Sequence, residues 1–168
     1  LSRGLGDVYK RQLTESCTHV MEKDKASIDD MYNDLLNLGR IFGVEEKANS
    51  LVDGYRLELS KETKNLKSEN PLRVFVYDSG EDAPFTAGLY AMPTALIEAA
   101  GGTNIMDDFK KSWGTVTWEE VIDRNPEVIV IVNYGNVTAE QKREFMMSNP
   151  AFADLDAVKN DRFVTLEY

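Results

Sequence analysis

The chain has 168 residues, of which 42% are hydrophobic and 29% are charged, a balance typical of a globular chain and unlike that of a disordered or fibrous one. Its formal net charge of -10 argues against nucleic-acid binding, which calls for clustered lysine and arginine. Cys17 is the only cysteine, which excludes an internal disulfide, and no apolar run approaches the roughly 18 residues that a membrane span needs.

The first twelve residues differ in character from the rest. Residues 1–12 (LSRGLGDVYKRQ) show neither an apolar periodicity nor the core of a signal peptide. The stretch from Asp7 to Gln12 resembles translated sequencing-adapter sequence, so we expect residues 1–12 to be non-native or disordered. A natural basic tail is the alternative.

Two helices are predicted before residue 70. Ser27–Phe42 carries an apolar stripe at three-to-four spacing, with Ser27 as the N-cap and Gly43 as the residue after the last turn. A second helical pattern runs from Val44 to about Leu66, which corresponds to about 35 Å at 1.5 Å per residue. A helix of this length that is polar on most sides is typical of a connection between two bodies.

Beyond Pro71 strands alternate with helices. Strands are predicted at residues 72–77, 127–132 and 162–166, and helices at residues 94–100 and after capping boxes that begin at Thr117 and Thr138. The strand over residues 127–132 (EVIVIV) is apolar at successive positions, as expected of a strand covered on both faces. The pattern predicts an α/β fold with a mostly parallel sheet flanked by helices.

From Leu13 onward the order of features resembles class III periplasmic substrate-binding proteins, which carry iron-siderophores, haem and cobalamin to ABC transporters. The matching stretches are residues 14–16 (TES), 36–43 (LNLGRIFG), 99–105 (AAGGTNI), 113–119 (WGTVTWE), 125–131 (NPEVIVI), 149–152 (NPAF) and 155–164 (LDAVKNDRFV). The resemblance implies two α/β lobes joined by a long rigid helix. It assigns residues 13–26 to a remnant of the N-terminal lobe, 27–69 to connecting helices and 70–168 to the C-terminal α/β lobe.

Three predicted loops approach the carboxyl ends of the strands, where open α/β sheets bind ligands: residues 78–93, 107–113 and 133–137. Their aromatic, thioether and hydroxyl side chains suit a large, partly apolar ligand, although some of these side chains could instead cap the core. The predicted ligand contacts are Phe85, Thr86, Tyr90, Met92, Trp113 and Tyr134, and the resemblance adds Glu15. The resemblance also implies that the position of Trp113 lines the cleft of cobalamin-binding relatives.

No cofactor, metal site or catalytic centre is predicted. Cys17 and His19 supply two donors with no further cysteine or histidine to close a zinc or iron site. A single histidine without a nucleophile-elbow motif also argues against a hydrolytic triad. A loop tyrosine could ligate iron or haem, but a hydrogen-bonding surface role is the preferred interpretation.

Glu119 is predicted to dock on a transporter. It is the second residue of a capped helix, where the helix dipole already favours a carboxylate. The alternative interpretation is that Glu119 only stabilises the start of this helix. The resemblance implies that the matching glutamate, one in each lobe, binds arginine pockets of the membrane permease.

These observations predict the extracytoplasmic solute-binding component of an ABC importer for a metal chelate, free in a periplasm or held at the cell surface by a lipid anchor outside this chain. Its expected partners are the chelate and the permease, with no nucleic acid. Two alternatives stay open: an enzyme or cofactor-assembly protein on the same two-lobed scaffold, and a stand-alone α/β sensor or interaction domain.

Overall fold

The computed structural model describes residues 25–64 and 70–167, so the predictions for Glu15, Cys17 and His19 lie outside the described residues. The helices are α1 (Ile28–Phe42), α2 (Glu45–Thr63), α3 (Met92–Ala99), α4 (Trp118–Arg124), α5 (Ala139–Ser148) and α6 (Asp156–Lys159), with a 3₁₀ turn at Pro150–Phe152. The strands are β1 (Arg73–Tyr77), β2 (Phe85–Ala87), β3 (Thr103–Asn104), β4 (Trp113–Thr115), β5 (Val128–Asn133) and β6 (Phe163–Glu167).

Helices α1 and α2 form a packed pair, and α1 also contacts α3. The predicted first helix is confirmed: α1 follows Ser27, whose backbone N–H donates to the carboxylate of Asp30 at 2.9 Å, and it ends at Gly43 with a φ of 64°. Glycine adopts this left-handed conformation without steric cost. Helix α2 has 19 residues, about 28 Å at 1.5 Å per residue, and most of its surface is exposed.

The main sheet has the strand order β3-β1-β5-β6, and each neighbouring pair is parallel. This confirms the predicted α/β class with a parallel sheet flanked by helices. A smaller sheet of β2 and β4, paired antiparallel, was not predicted: β2 lies within the predicted loop of residues 78–93, and β4 begins at the last residue of the predicted loop of residues 107–113. Because each of these strands has three residues, neither shows an alternation that the sequence pattern could identify.

The core lies on both faces of the main sheet, since successive residues of a strand point to opposite sides. On one face Phe75 and Tyr77 of β1 meet Trp118 and Phe152, with the rings of Trp118 and Phe152 4.7 Å apart. Helices α4, α5 and α6 cover this face. On the other face Val76 belongs to a smaller apolar cluster under β2 and the start of α3.

Candidate functional site

The carboxyl ends of β1 and β5 mark a topological switch point of the main sheet. From β1 the chain passes to β3 on one side and then returns to the other side, where β5 and β6 follow. In open α/β sheets, ligands bind in the crevice outside the strand ends at such a point. We call the segments that lie there the carboxyl edge: residues 78–93, 105–117 and 133–138.

Phe85 and Trp113 form an aromatic pair at the carboxyl edge. Their ring centroids are 6.0 Å apart and their planes differ by 12°, so the rings are stacked. Phe85 is 36% exposed, whereas Trp113 is half-buried because it packs against the cluster that contains Ala91 and Val132. A stacked pair with one anchored ring offers a preformed flat apolar surface to a ligand.

Thr86, which we expected to contact the ligand, points away from this surface. Phe85 is exposed, and the alternation of a strand therefore turns Thr86 inward. Its side chain has no accessible surface, and its hydroxyl donates to the backbone carbonyl of Val76 at 2.6 Å. Thr86 helps to hold β2 on the main sheet and does not belong to the exposed aromatic surface.

Tyr90 and Met92 lie where the carboxyl edge enters α3, and both are half-buried. The N–H of Tyr90 donates to the carbonyl of Lys111 at 3.2 Å, and the hydroxyl of Ser112 donates to the carbonyl of Tyr90 at 3.4 Å. These bonds join the segment that carries Tyr90 to the segment that precedes Trp113. Two of the three predicted loops are thus held together by one bond between backbones and one from a side chain to the backbone.

Asn104 is a residue of this region that the sequence interpretation missed. It is fully buried at the end of β3, and its amide nitrogen donates to the carbonyl of Ala87 at 2.9 Å and to the hydroxyl of Thr94 at 2.8 Å. Its side-chain oxygen accepts the N–H of Met106 at 3.0 Å. A lone asparagine at a strand end gives no sequence signal of burial, so these bonds could not be predicted from the pattern.

Tyr134 lies on the third segment of the carboxyl edge, directly after β5, and is 58% exposed. Its backbone N–H donates to the carbonyl of Val132 at 3.0 Å, which turns the chain sharply away from the strand. Lys142 of α5 lies beneath this turn with 2% of its surface exposed. The sequence interpretation did not select Lys142, because a lysine within a helical pattern is usually solvated.

Glu119 and Glu120 lie in the first turn of α4, and their carboxylates have different surroundings. The carboxylate of Glu120 accepts the backbone N–H of Thr117 at 3.0 Å and completes the predicted capping box. Glu119 is exposed, and its carboxylate has no hydrogen bond or ion pair with another described residue. The helix cap therefore leaves Glu119 available. Because α4 begins where β4 ends and its Trp118 indole donates to the carbonyl of Glu81, Glu119 lies at the rim of the carboxyl edge.

Within residues 25–64 and 70–167, no three His, Cys, Asp or Glu side chains are grouped so as to hold a metal ion. In that same part of the chain, no helix combines the length and the apolar character that a membrane crossing requires.

Comparison with known proteins identifies the family. The family model described as periplasmic binding protein matches residues 9–168, and the chain therefore belongs to this family. The match begins at residue 9 and so includes the last residues of the segment that we expected to be non-native.

Two relatives found by sequence illustrate the extent of the similarity. The chain is 26% identical over 112 residues to the vitamin B12-binding protein of Yersinia pestis (strain Pestoides F), covering 67% of this chain and 40% of that protein. It is 23% identical over 159 residues to the uncharacterized ABC transporter substrate-binding lipoprotein YvrC of Bacillus subtilis (strain 168), covering 93% of this chain and 48% of that protein.

Among solved structures, a periplasmic binding protein from Veillonella parvula superposes with a TM-score of 0.77 at 35% identity, covering 84% of this chain and 50% of that chain. The chain spans half or less of the length of these relatives. The fold described above is thus that of one part of a periplasmic binding protein.

Proposed function

We propose that this chain is part of an extracytoplasmic solute-binding protein that binds a metal chelate (an iron-siderophore, haem or cobalamin) and delivers it to the permease of an ABC importer. The observation that carries the proposal is the stacked pair of Phe85 and Trp113 beside the switch point of the sheet. Membership of the periplasmic binding protein family supports a function in which the solute is bound and released without chemical change.

The chemistry of the carboxyl edge favours a large ligand with a flat apolar face. Phe85 and Trp113 supply stacked rings, and the phenol groups of Tyr90 and Tyr134 can orient polar substituents of the chelate. The name of the Yersinia relative, a vitamin B12-binding protein, favours a corrin or a related macrocycle within this class. The ligand would be recognised mainly by shape and apolar contact.

The fluorescence of Trp113 tests the proposal. Trp118 is the second of the two tryptophans, and Trp118→Phe leaves Trp113 as the single reporter. The variant is titrated with cyanocobalamin, haemin and ferrichrome, and a saturable change with one of them is expected. Trp113→Ala in the otherwise unchanged chain should abolish binding of the same compound, measured by calorimetry.

Tyr55→Ala provides the matched control, because Tyr55 is an exposed aromatic residue of α2 away from the carboxyl edge. This variant should bind as the parent does. A monodisperse chain whose Trp113 fluorescence responds to none of the three chelates would contradict the proposal and favour a stand-alone α/β sensor or interaction domain.

A further inference from the structure

Lys142 occupies a position that neither burial nor the helix dipole favours. It is the fourth residue of α5, near the positive end of the helix, and only 2% of it is exposed. Lysine is almost never fully buried unless its ammonium group finds partners. A methionine of similar length would fill the same space without desolvating a charge, so the ammonium group itself needs an explanation.

The partners of the ammonium group are two backbone carbonyls at the end of β5. The Nζ of Lys142 donates to the carbonyl of Val132 at 2.7 Å and to that of Tyr134 at 3.2 Å. The same turn is held by Asn133, whose side-chain oxygen accepts the N–H of Ala139 at 3.2 Å. Lys142 thus joins α5 to the backbone on both sides of residue 133, directly below the exposed side chain of Tyr134.

Lys142 also lies beside the switch point between β1 and β5. The carboxylate of Asp78, the first residue after β1, acts on its charge from the neighbouring strand end. Burial lowers the pKa of Lys142, and the charge of Asp78 opposes that shift. Among the described residues, the ammonium group is therefore held by fixed backbone dipoles, with one carboxylate contributing through its charge.

We infer that Lys142 is a positioning residue for the ligand site: its ammonium group fixes the turn of residues 132–134 and thereby sets where Tyr134 stands at the carboxyl edge. Lys142 is too buried to touch a ligand and would act through Tyr134. The effect on ligand affinity rests on the proposed function, whereas the effect on the turn does not.

Amide hydrogen exchange of the 168-residue chain without ligand tests the effect on the turn. Lys142→Met keeps the apolar stem and removes the donors, and exchange over residues 133–138 should become about tenfold faster or more. Exchange in β1 and the melting temperature should change little. Lys159→Met, the same substitution at an exposed lysine of α6, should alter neither. Exchange that rises evenly over the whole chain, or not at all in residues 133–138, would overturn the inference.

A measurement on the unsubstituted chain decides the matter if Lys142→Met does not fold. Hydrogen bonds transmit scalar couplings, so the ¹⁵Nζ nucleus of Lys142 should couple to the carbonyl ¹³C nuclei of Val132 and Tyr134. Detection of both couplings supports the inference that Lys142 holds the turn of residues 132–134. Their absence, under conditions where couplings across backbone hydrogen bonds of the main sheet are seen, contradicts it.

A double-mutant cycle tests the route by which Lys142 acts on binding. With whichever of cyanocobalamin, haemin or ferrichrome the chain binds, Lys142→Met should weaken affinity about tenfold, and this loss should disappear in a Tyr134→Ala background. An equal loss in both backgrounds would show that Lys142 does not act through Tyr134. If the parent binds none of the three, the proposed function fails, and the exchange experiment still decides whether Lys142 holds the turn.

Discussion

At the scale of single residues, Tyr77 gives a prediction that depends on pH. Burial, with a smaller contribution from the charge of Glu81, raises the pKa of Tyr77 to about 12. The unfolded chain loses this phenol proton near its ordinary pKa of about 10, so the folded state holds the proton more tightly. The contribution of this proton to the free energy of unfolding is therefore fully present below a pH of about 10. It is lost as the pH rises from about 10 to about 12.

Tyr77→Phe removes the titrating group and keeps the ring in the core. The free energy of unfolding, measured in urea, should differ from that of the parent by a constant amount up to a pH of about 9. Above a pH of about 10 the parent should lose stability relative to the variant, because its unfolded state alone ionises. A difference that stays constant between those pH values and about 12 would show that Tyr77 is not desolvated in the folded chain.

Side-chain direction was the least predictable property at this scale. The sequence predicted Phe85, Thr86 and Trp113 to lie in loops beyond the strand ends, whereas the structure places them on β2 and β4, exposes Phe85 and buries Thr86 completely. The direction depends on β2 pairing with β4, which lies almost thirty positions further along the chain. No local pattern reports such a pairing. The buried amine of Lys142 was not identified for another reason, since a lysine within a helical pattern is usually solvated.

At the scale of elements, local signals were sufficient. The predicted N-cap at Ser27 and the predicted capping boxes at Thr117 and Thr138 each precede a helix in the structure, because a cap depends on residues only three positions apart. The apolar run in residues 127–132 predicted a strand covered on both faces, and β5 has that place at the centre of the sheet. Strands of three residues fall below the length that periodicity can detect.

Two helical glycines give a matched prediction for the packing of α1 on α2. A Cβ atom at Gly39 would overlap the side chain of Ala48, whereas a Cβ atom at Gly54 would meet no atom within 4 Å. Gly39→Ala should therefore force the helices apart and lower the free energy of unfolding by about 1–3 kcal/mol. Gly54→Ala should raise it by about 0.5–1 kcal/mol, because alanine favours the helix.

Denaturation in urea measures both values, and the sign of the difference is the informative result. If Gly39→Ala were as stable as Gly54→Ala, the two helices would not approach as closely as the structure shows. Circular dichroism at 222 nm distinguishes a loss of helix in α1 or α2 from a change in their packing alone.

At the scale of the whole molecule, the order of the strands determines the site. The chain returns across β1 between β3 and β5, and this reversal brings residues 78–93 and 133–138 to the same carboxyl edge, where open α/β sheets bind ligands. The alternation of elements predicted a mostly parallel sheet with loops at its carboxyl ends, whereas the strand order and this reversal were not predicted. The relatives reported above are matched over only 40%, 48% and 50% of their own lengths.

The same topology leads to a prediction for the permease. Glu119 stands at the rim of the carboxyl edge without a partner among the described residues, while Glu120 satisfies the helix cap. We expect Glu119 to form a charge-assisted hydrogen bond with an arginine of the permease, and Glu119→Ala to weaken docking about tenfold or more. The assay is ligand-driven ATP hydrolysis by the reconstituted importer, titrated with the binding protein.

Asp123→Ala is the matched control, because Asp123 is an exposed carboxylate further along the same helix and should be neutral. Ligand affinity should be unchanged in both variants, since Glu119 touches neither the core nor the aromatic pair. Loss of the interaction with the helix dipole should lower the stability of Glu119→Ala by no more than about 0.3–1 kcal/mol. Glu119→Arg should abolish docking, and arginine-to-glutamate substitution of the permease partner should restore it. Unchanged titration curves for Glu119→Ala would contradict the docking prediction. The carboxylate of Glu119 would then only stabilise the helix start through the dipole, by about 0.3–1 kcal/mol.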